Sequence, residues 1–122
     1  MKLKQHGFTG LLSTKDAAFH FFNGLDDAAA ARYEKTMTAS PVFTTVLKSD
    51  PYTEVPCAYL ICEQDRGLPA AYQEGMVVMQ SSRAGVDITV YRAPCGHSPH
   101  LVWTEGLVEK VKEFGQKALA LV

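Results

Sequence analysis

Pro56-Cys57-Ala58-Tyr59-Leu60-Ile61-Cys62-Glu63-Gln64-Asp65-Arg66-Gly67-Leu68-Pro69 is the stretch that decides the fold. Its first half is apolar at nearly every position, the pattern of a strand buried on both faces in a parallel sheet. Its second half is an acidic loop punctuated by glycine and proline. The same order of strand and loop follows downstream. Asp87-Ile88-Thr89-Val90-Tyr91-Arg92 reads as a strand and runs into Ala93-Pro94-Cys95-Gly96-His97-Ser98-Pro99-His100. Between the two, a helix is predicted from Pro69 through Tyr72, Met76, Val77, Met79 and Gln80, stopping before Gly85. Gly75 inside that helix costs about 1 kcal/mol relative to alanine, so close packing is expected there. Strands joined by a helix lie parallel with a right-handed crossover. Their C-terminal ends then share one rim, where ligands bind in open α/β sheets. Asp65 and His97 are therefore expected side by side.

Working outward, Glu105 to Ala120 reads as a closing helix. Leu107, Val108, Val111, Phe114, Ala118, Leu119 and Leu121 form its apolar stripe, with lysines and glutamates mostly outside it. Upstream, Met1 to Leu12 reads as a loose leading segment with at most a short strand. Ser13 or Thr14 can cap a short helix over Asp16 to Phe22, stopped by Asn23-Gly24. Asp26 or Asp27 can start a second helix as far as Met37, with its carboxylates placed favourably for the helix dipole. Ser40-Pro41 reads as a cap with proline at the first helical position, followed by a short helix or turn through Phe43 to Leu47. Ser49-Asp50-Pro51 breaks it. The fold class is therefore α/β, one domain over residues 1–122. Residues 13–50 are helical and residues 55–122 run strand, helix, strand, helix.

A chain of 122 residues with 47% hydrophobic and 20% charged residues suits one core. A formal net charge of -1 gives no electrostatic reason to expect nucleic acid or an anionic membrane as partner. No apolar run is long enough to span a bilayer, and the N-terminus lacks an apolar signal core. Cys57, Cys62 and Cys95 are an odd number, which favours reduced thiols and a cytoplasmic location.

With Pro56 to Asp65 and Gly96-His97-Ser98-Pro99 in this order and spacing, the chain resembles the C-terminal half of an α/β-hydrolase of the single-domain fungal kind. The first stretch resembles the family's penultimate core strand with its acid loop, and the second the histidine loop of the last strand. Residues Asp16 to Asp50 resemble the helical lid inserted between sheet strands. The resemblance implies that His97 is the triad base and Asp65 the triad acid. The family's nucleophile elbow, Gly-x-Ser-x-Gly, occurs nowhere in the sequence. The unit is thus read as truncated. Two parallel strands alone leave open edges, so the sheet is expected to be completed by homodimerisation, with the lid helices buried between protomers. Docking on another protein and a small monomer with Met1–Leu12 as a third strand are the other arrangements.

An imidazole oriented by a carboxylate is a general acid/base system at neutral pH. His97 and Asp65 are the candidate catalytic pair. His97 also reads as a vestige in a well-folded loop, and Asp65 as a turn former bonding local amides. Gly96 permits a tight turn before the ring. Cys95, Ser98, His20, Phe22 and Trp103 are the residues expected to line a substrate cavity. Cys95 reads as a small buried residue ahead of a thiol nucleophile beside the imidazole, and His20 as a packing histidine among phenylalanines. Cys95, His97 and His100 lack the paired spacing of structural zinc, so no metal and no cofactor are expected. The expected function is acid/base chemistry without a serine nucleophile, such as a cyclase, lyase, dehydratase or isomerase reaction. The substrate is a small apolar molecule, of fungal polyketide type if the resemblance is followed. Half of a split serine hydrolase and a non-catalytic binding remnant are the alternatives.

Overall fold

A computed structural model describes residues 3–5, 11–41, 46 and 48–120. The chain is a mixed α/β unit. Strands β1 (Leu3–Gln5), β2 (Leu11–Thr14) and β3 (Ser40–Pro41) form an antiparallel sheet in that order. Helices α1 (Ala17–Phe21) and α2 (Asp27–Glu34) lie between β2 and β3 in sequence. Strands β4 (Cys57–Cys62) and β5 (Ile88–Ala93) form a separate parallel pair, with Cys57 opposite Ile88 and Cys62 opposite Ala93. Helix α3 (Ala70–Ser81) makes the crossover between them. A single turn, α4 (Pro99–Val102), precedes the long α5 (Thr104–Leu119).

Alternation along β4 sends Tyr59 and Ile61 toward α3 and Leu60 and Cys62 toward α5. Ile61 is 2% exposed, and Val77 of α3 is also buried. On the opposite face Cys62, Ala93 and Cys95 form a small core cluster with Leu60, Val102 and Trp103 packed against it. Helix α2 starts as the sequence implies: Asp26 caps it by accepting from the Ala29 N–H at 2.9 Å, and Asp27 sits in the first turn.

Several expectations are corrected. Ser13 and Thr14 do not cap a helix; they belong to β2, and Asp16 makes the turn into α1 in a left-handed conformation at φ 55°. Short polar side chains tolerate that region better than most. Ser40-Pro41 is a strand against Leu11 and Leu12, not a helix start. The expected turn through Phe43 to Leu47 lies almost wholly outside the described residues. Of the leading segment, Leu3–Gln5 pairs with β2, and among the described residues none of it joins the parallel strands. Strand β4 is fully buried only at Ile61 and Cys62; Ala58 is exposed and the other three residues are half-buried. Helix α5 carries its apolar stripe but buries no residue completely, leaving Val108 and Val111 exposed.

Gly75 is the clearest correction. A Cβ built there meets nothing within 4 Å, so the expected close packing is absent. The glycine then only costs helix stability. Gly75→Ala is expected to stabilise the protein by about 0.5–1 kcal/mol, read as a raised urea midpoint with an unchanged m-value.

Candidate active site

The parallel ladder does not stop at the strand ends. Glu63 N–H donates to the Ala93 carbonyl at 2.9 Å and Gln64 N–H to the Cys95 carbonyl at 3.0 Å. These two bonds carry the acid loop and the histidine loop forward together, and the next residues to emerge are Asp65 and His97. The His97 Nδ1 lies 3.0 Å from Asp65 Oδ1 and 2.9 Å from Oδ2. The Asp65 side chain is 5% exposed and that of His97 is 37% exposed. One member of the pair is thus sealed in and the other reaches solvent.

Asp65 is held independently of the imidazole. Its Oδ1 accepts from the Gly67 N–H at 2.7 Å and the Leu68 N–H at 2.9 Å. Its Oδ2 accepts from Gln73 Nε2 at 3.3 Å. A carboxylate surrounded by donors acts as an acceptor, so His97 Nδ1 carries the proton it shares with Asp65. That fixes the tautomer with a lone pair on Nε2. Among the described residues no protein group hydrogen-bonds Nε2.

The Phe21 ring stacks on the His97 ring, with centroids 4.5 Å apart and planes at 27°. Ser98 Oγ donates to the Phe21 carbonyl at 2.7 Å, and Asn23 Nδ2 donates to the Gln64 carbonyl at 2.8 Å. His20 Nδ1 donates to the Arg66 carbonyl at 3.1 Å. Helix α1 and the residues after it are thereby fastened to both site loops. Two glycines make room. A Cβ at Gly67 would sit 2.8 Å from the Phe21 ring and 3.2 Å from His97 Nδ1. A Cβ at Gly96 would sit 2.5 Å from Asn23. Gly96 is therefore needed for close approach and not for a left-handed turn, because the positive-φ glycines among the described residues are Gly24 and Gly85.

The structure brings Asp65, His97, His20 and Ser98 into one region but gives them different work. Ser98 is buried and its hydroxyl proton is committed to Phe21, so it is not free for a substrate. Cys95 is 4% exposed and belongs to the core cluster with Cys62. Burial pushes the thiols of both up, that of Cys62 to about 12 with further contributions from Cys95 and Asp65. Both stay protonated and poorly nucleophilic. Phe22 is buried and stacks on Tyr33 at 5.5 Å. Trp103 packs at the joint of α4 and α5 against the cysteine cluster. Among the described residues no three His, Cys, Asp or Glu side chains converge as a metal-holding group. No helix there is long and apolar enough to cross a membrane.

Gln73 was not singled out in the sequence. It is 2% exposed, with Oε1 accepting from Cys62 N–H at 3.0 Å. Its Nε2 donates to the Cys62 carbonyl at 3.1 Å and the Leu68 carbonyl at 2.7 Å, besides Asp65. The signal for it was its place four residues before the buried Val77, a polar residue in register with the apolar face of α3. Gln73→Leu strands buried backbone groups and releases Asp65. It is expected to cost more than about 2 kcal/mol in chemical denaturation.

The family model described as "Alpha/beta hydrolase family" matches residues 4–110. No curated protein matches the chain.

Proposed function

The chain belongs to the alpha/beta hydrolase family, and from that premise we propose that it is an acid/base enzyme working on a small apolar substrate through His97 oriented by Asp65. The observation that carries this reading is the contact of His97 Nδ1 with the buried Asp65 carboxylate at 2.9 Å, beside an Nε2 with no protein partner among the described residues. In this arrangement Nε2 takes a proton from a substrate carbon or oxygen. The imidazolium is then stabilised by Asp65, and the proton is returned at a second position. The sequence has no Gly-x-Ser-x-Gly, so the fitting reactions are those made by proton transfer alone: cyclisation, elimination, dehydration and isomerisation. Stacking on Phe21 supports the reading, because it holds the ring in one plane before substrate arrives.

A generic probe tests it without knowledge of the substrate. In nitrobenzisoxazole elimination a base takes the ring C–H proton while the N–O bond breaks to give the cyanophenolate. His97→Ala is expected to lower this rate by about 100-fold or more, with an unchanged circular dichroism spectrum. Asp65→Asn is expected to fall between it and the parent. Turnover that survives His97→Ala would sink the proposal. The missing Gly-x-Ser-x-Gly elbow supports one second reading, in which a serine from another protein meets Nε2. In that case a fluorophosphonate labels that protein only when this chain is present.

Pairing of two copies is part of the proposal. Among the described strands β4 pairs on one side only. Apolar grooves flank it, one with Leu60, Tyr91, Val111 and Phe114, the other with Tyr59, Met76 and Met79. An open strand edge between apolar helix faces suits continuation of the sheet by a second copy. Sedimentation equilibrium is expected to give twice the 13.4 kDa chain mass; a mass of one chain at micromolar concentration refutes the pairing.

A further inference from the structure

We propose that the groove beside Arg66 binds a small apolar molecule through a single carboxylate. The proposal deepens the acid/base reading by naming its substrate class, and it rests on that reading for turnover but not for binding. The groove has a volume of about 510 Å³ and is walled by Phe19, Phe22, Leu25, Ala30, Asp27 and Arg66 among others. That size falls in the range of small-molecule sites, about 300–1,000 Å³, and the mix of apolar wall with few polar groups is typical of them.

Arg66 supplies the specific group. Its guanidinium lies 4.6 Å from the centroid of the Phe19 ring. Arg83 and Arg92 are each paired with carboxylates of the protein, Asp50 for the first and Glu63 and Glu74 for the second. Arg66 has no carboxylate partner among the described residues. A guanidinium carbon held over an aromatic ring leaves N–H donors for a carboxylate, which their fork geometry matches. The charge count selects the ligand further. Among the described residues the groove walls hold one cation, Arg66, and one carboxylate, Asp27, which the α2 N-terminus already favours. A monoanion is balanced by Arg66; a dianion such as a phosphate monoester would face Asp27 with no second cation.

The groove also belongs to the site by construction. Arg66 follows Asp65 directly, and its carbonyl is held by His20. Phe19 and Phe21 lie on the same short helix, the first under Arg66 and the second against His97. His97 is not part of the groove wall, so a ligand anchored at Arg66 must extend beyond the groove to meet Nε2.

Titration of the full chain with hydrocinnamate, its amide and phenyl phosphate, followed by amide chemical shifts, tests this. The acid is expected to bind about tenfold tighter than the amide, the margin of a charge-assisted hydrogen bond at an exposed site. Shifts are expected at Phe19, Phe22 and Leu25, with weakening as salt is raised. Arg66→Gln is expected to remove the preference for the acid, so that acid and amide bind alike. Equal affinity of acid and amide, a preference that survives Arg66→Gln, or tighter binding of phenyl phosphate overturns the proposal. Repeating the titration with His97→Ala separates the two readings. Binding kept there supports this site, whatever becomes of turnover. If hydrocinnamate fails to bind while nitrobenzisoxazole is still turned over, this inference falls and the acid/base reading stands.

Discussion

The site depends on a ladder of backbone hydrogen bonds that outlasts its strands. Parallel pairing of β4 with β5 fixes which residues leave the sheet together, and a slip of one position would turn every side chain to the other face. The two further bonds, from Glu63 and Gln64, carry the register into the loops. Only because both loops leave in step does a residue 32 positions away in sequence meet Asp65 at hydrogen-bond distance. Neither the imidazole nor the carboxylate has to be long or flexible to reach the other.

What keeps that ladder intact at its end is a side chain acting as a strand. Glu63 bonds toward β5, so the preceding residue, Cys62, turns its N–H and carbonyl to the open edge. Gln73 receives both with one amide and spends its remaining donor capacity on Leu68 and Asp65. Buried backbone groups left without partners are costly. A primary amide solves the problem there because it carries a donor and an acceptor in the geometry of a peptide. Structure and site are coupled at this residue, since the amide that satisfies the sheet edge also holds the acid.

The strand and helix order of residues 55–122 was legible because the signals there are local: apolar runs, proline at helix starts, loops rich in glycine and proline. The meeting of Asp65 and His97 was legible because parallel topology follows from order alone. The region from Leu11 to Pro41 was misread at its edges. Ser13, Thr14, Ser40 and Pro41 carry cap chemistry, but here strand pairing overrides it, Ser13 and Thr14 lying against β1 and Ser40 and Pro41 against β2. Gly96 was assigned a turn when its role is to let Asn23 approach, a contact between residues distant in sequence that no local pattern encodes. Gln73 was hidden for the same reason, its partners being the backbone of another element. Ser98 and Cys95, expected at a cavity because they flank the histidine in sequence, are buried, whereas Phe22, buried as well, still lines the groove beside Arg66.

One carboxylate makes both the local turn contacts of Asp65 and its contact with His97. The loop amides of Gly67 and Leu68 close on Oδ1 and the Gln73 amide closes on Oδ2. The carboxylate is thus positioned by its own loop and by α3 before the imidazole is considered. His97, by contrast, owes its placement to contacts from three directions: Asp65 at Nδ1, the Phe21 face, and the space left by Gly67. A base must be held firmly yet reach solvent, and the burial of the pair divides along that line, 5% exposed for the acid and 37% for the imidazole. The same contacts that fix Nδ1 against the acid leave Nε2 on the side of the ring that solvent reaches, so the placement of one nitrogen decides the exposure of the other.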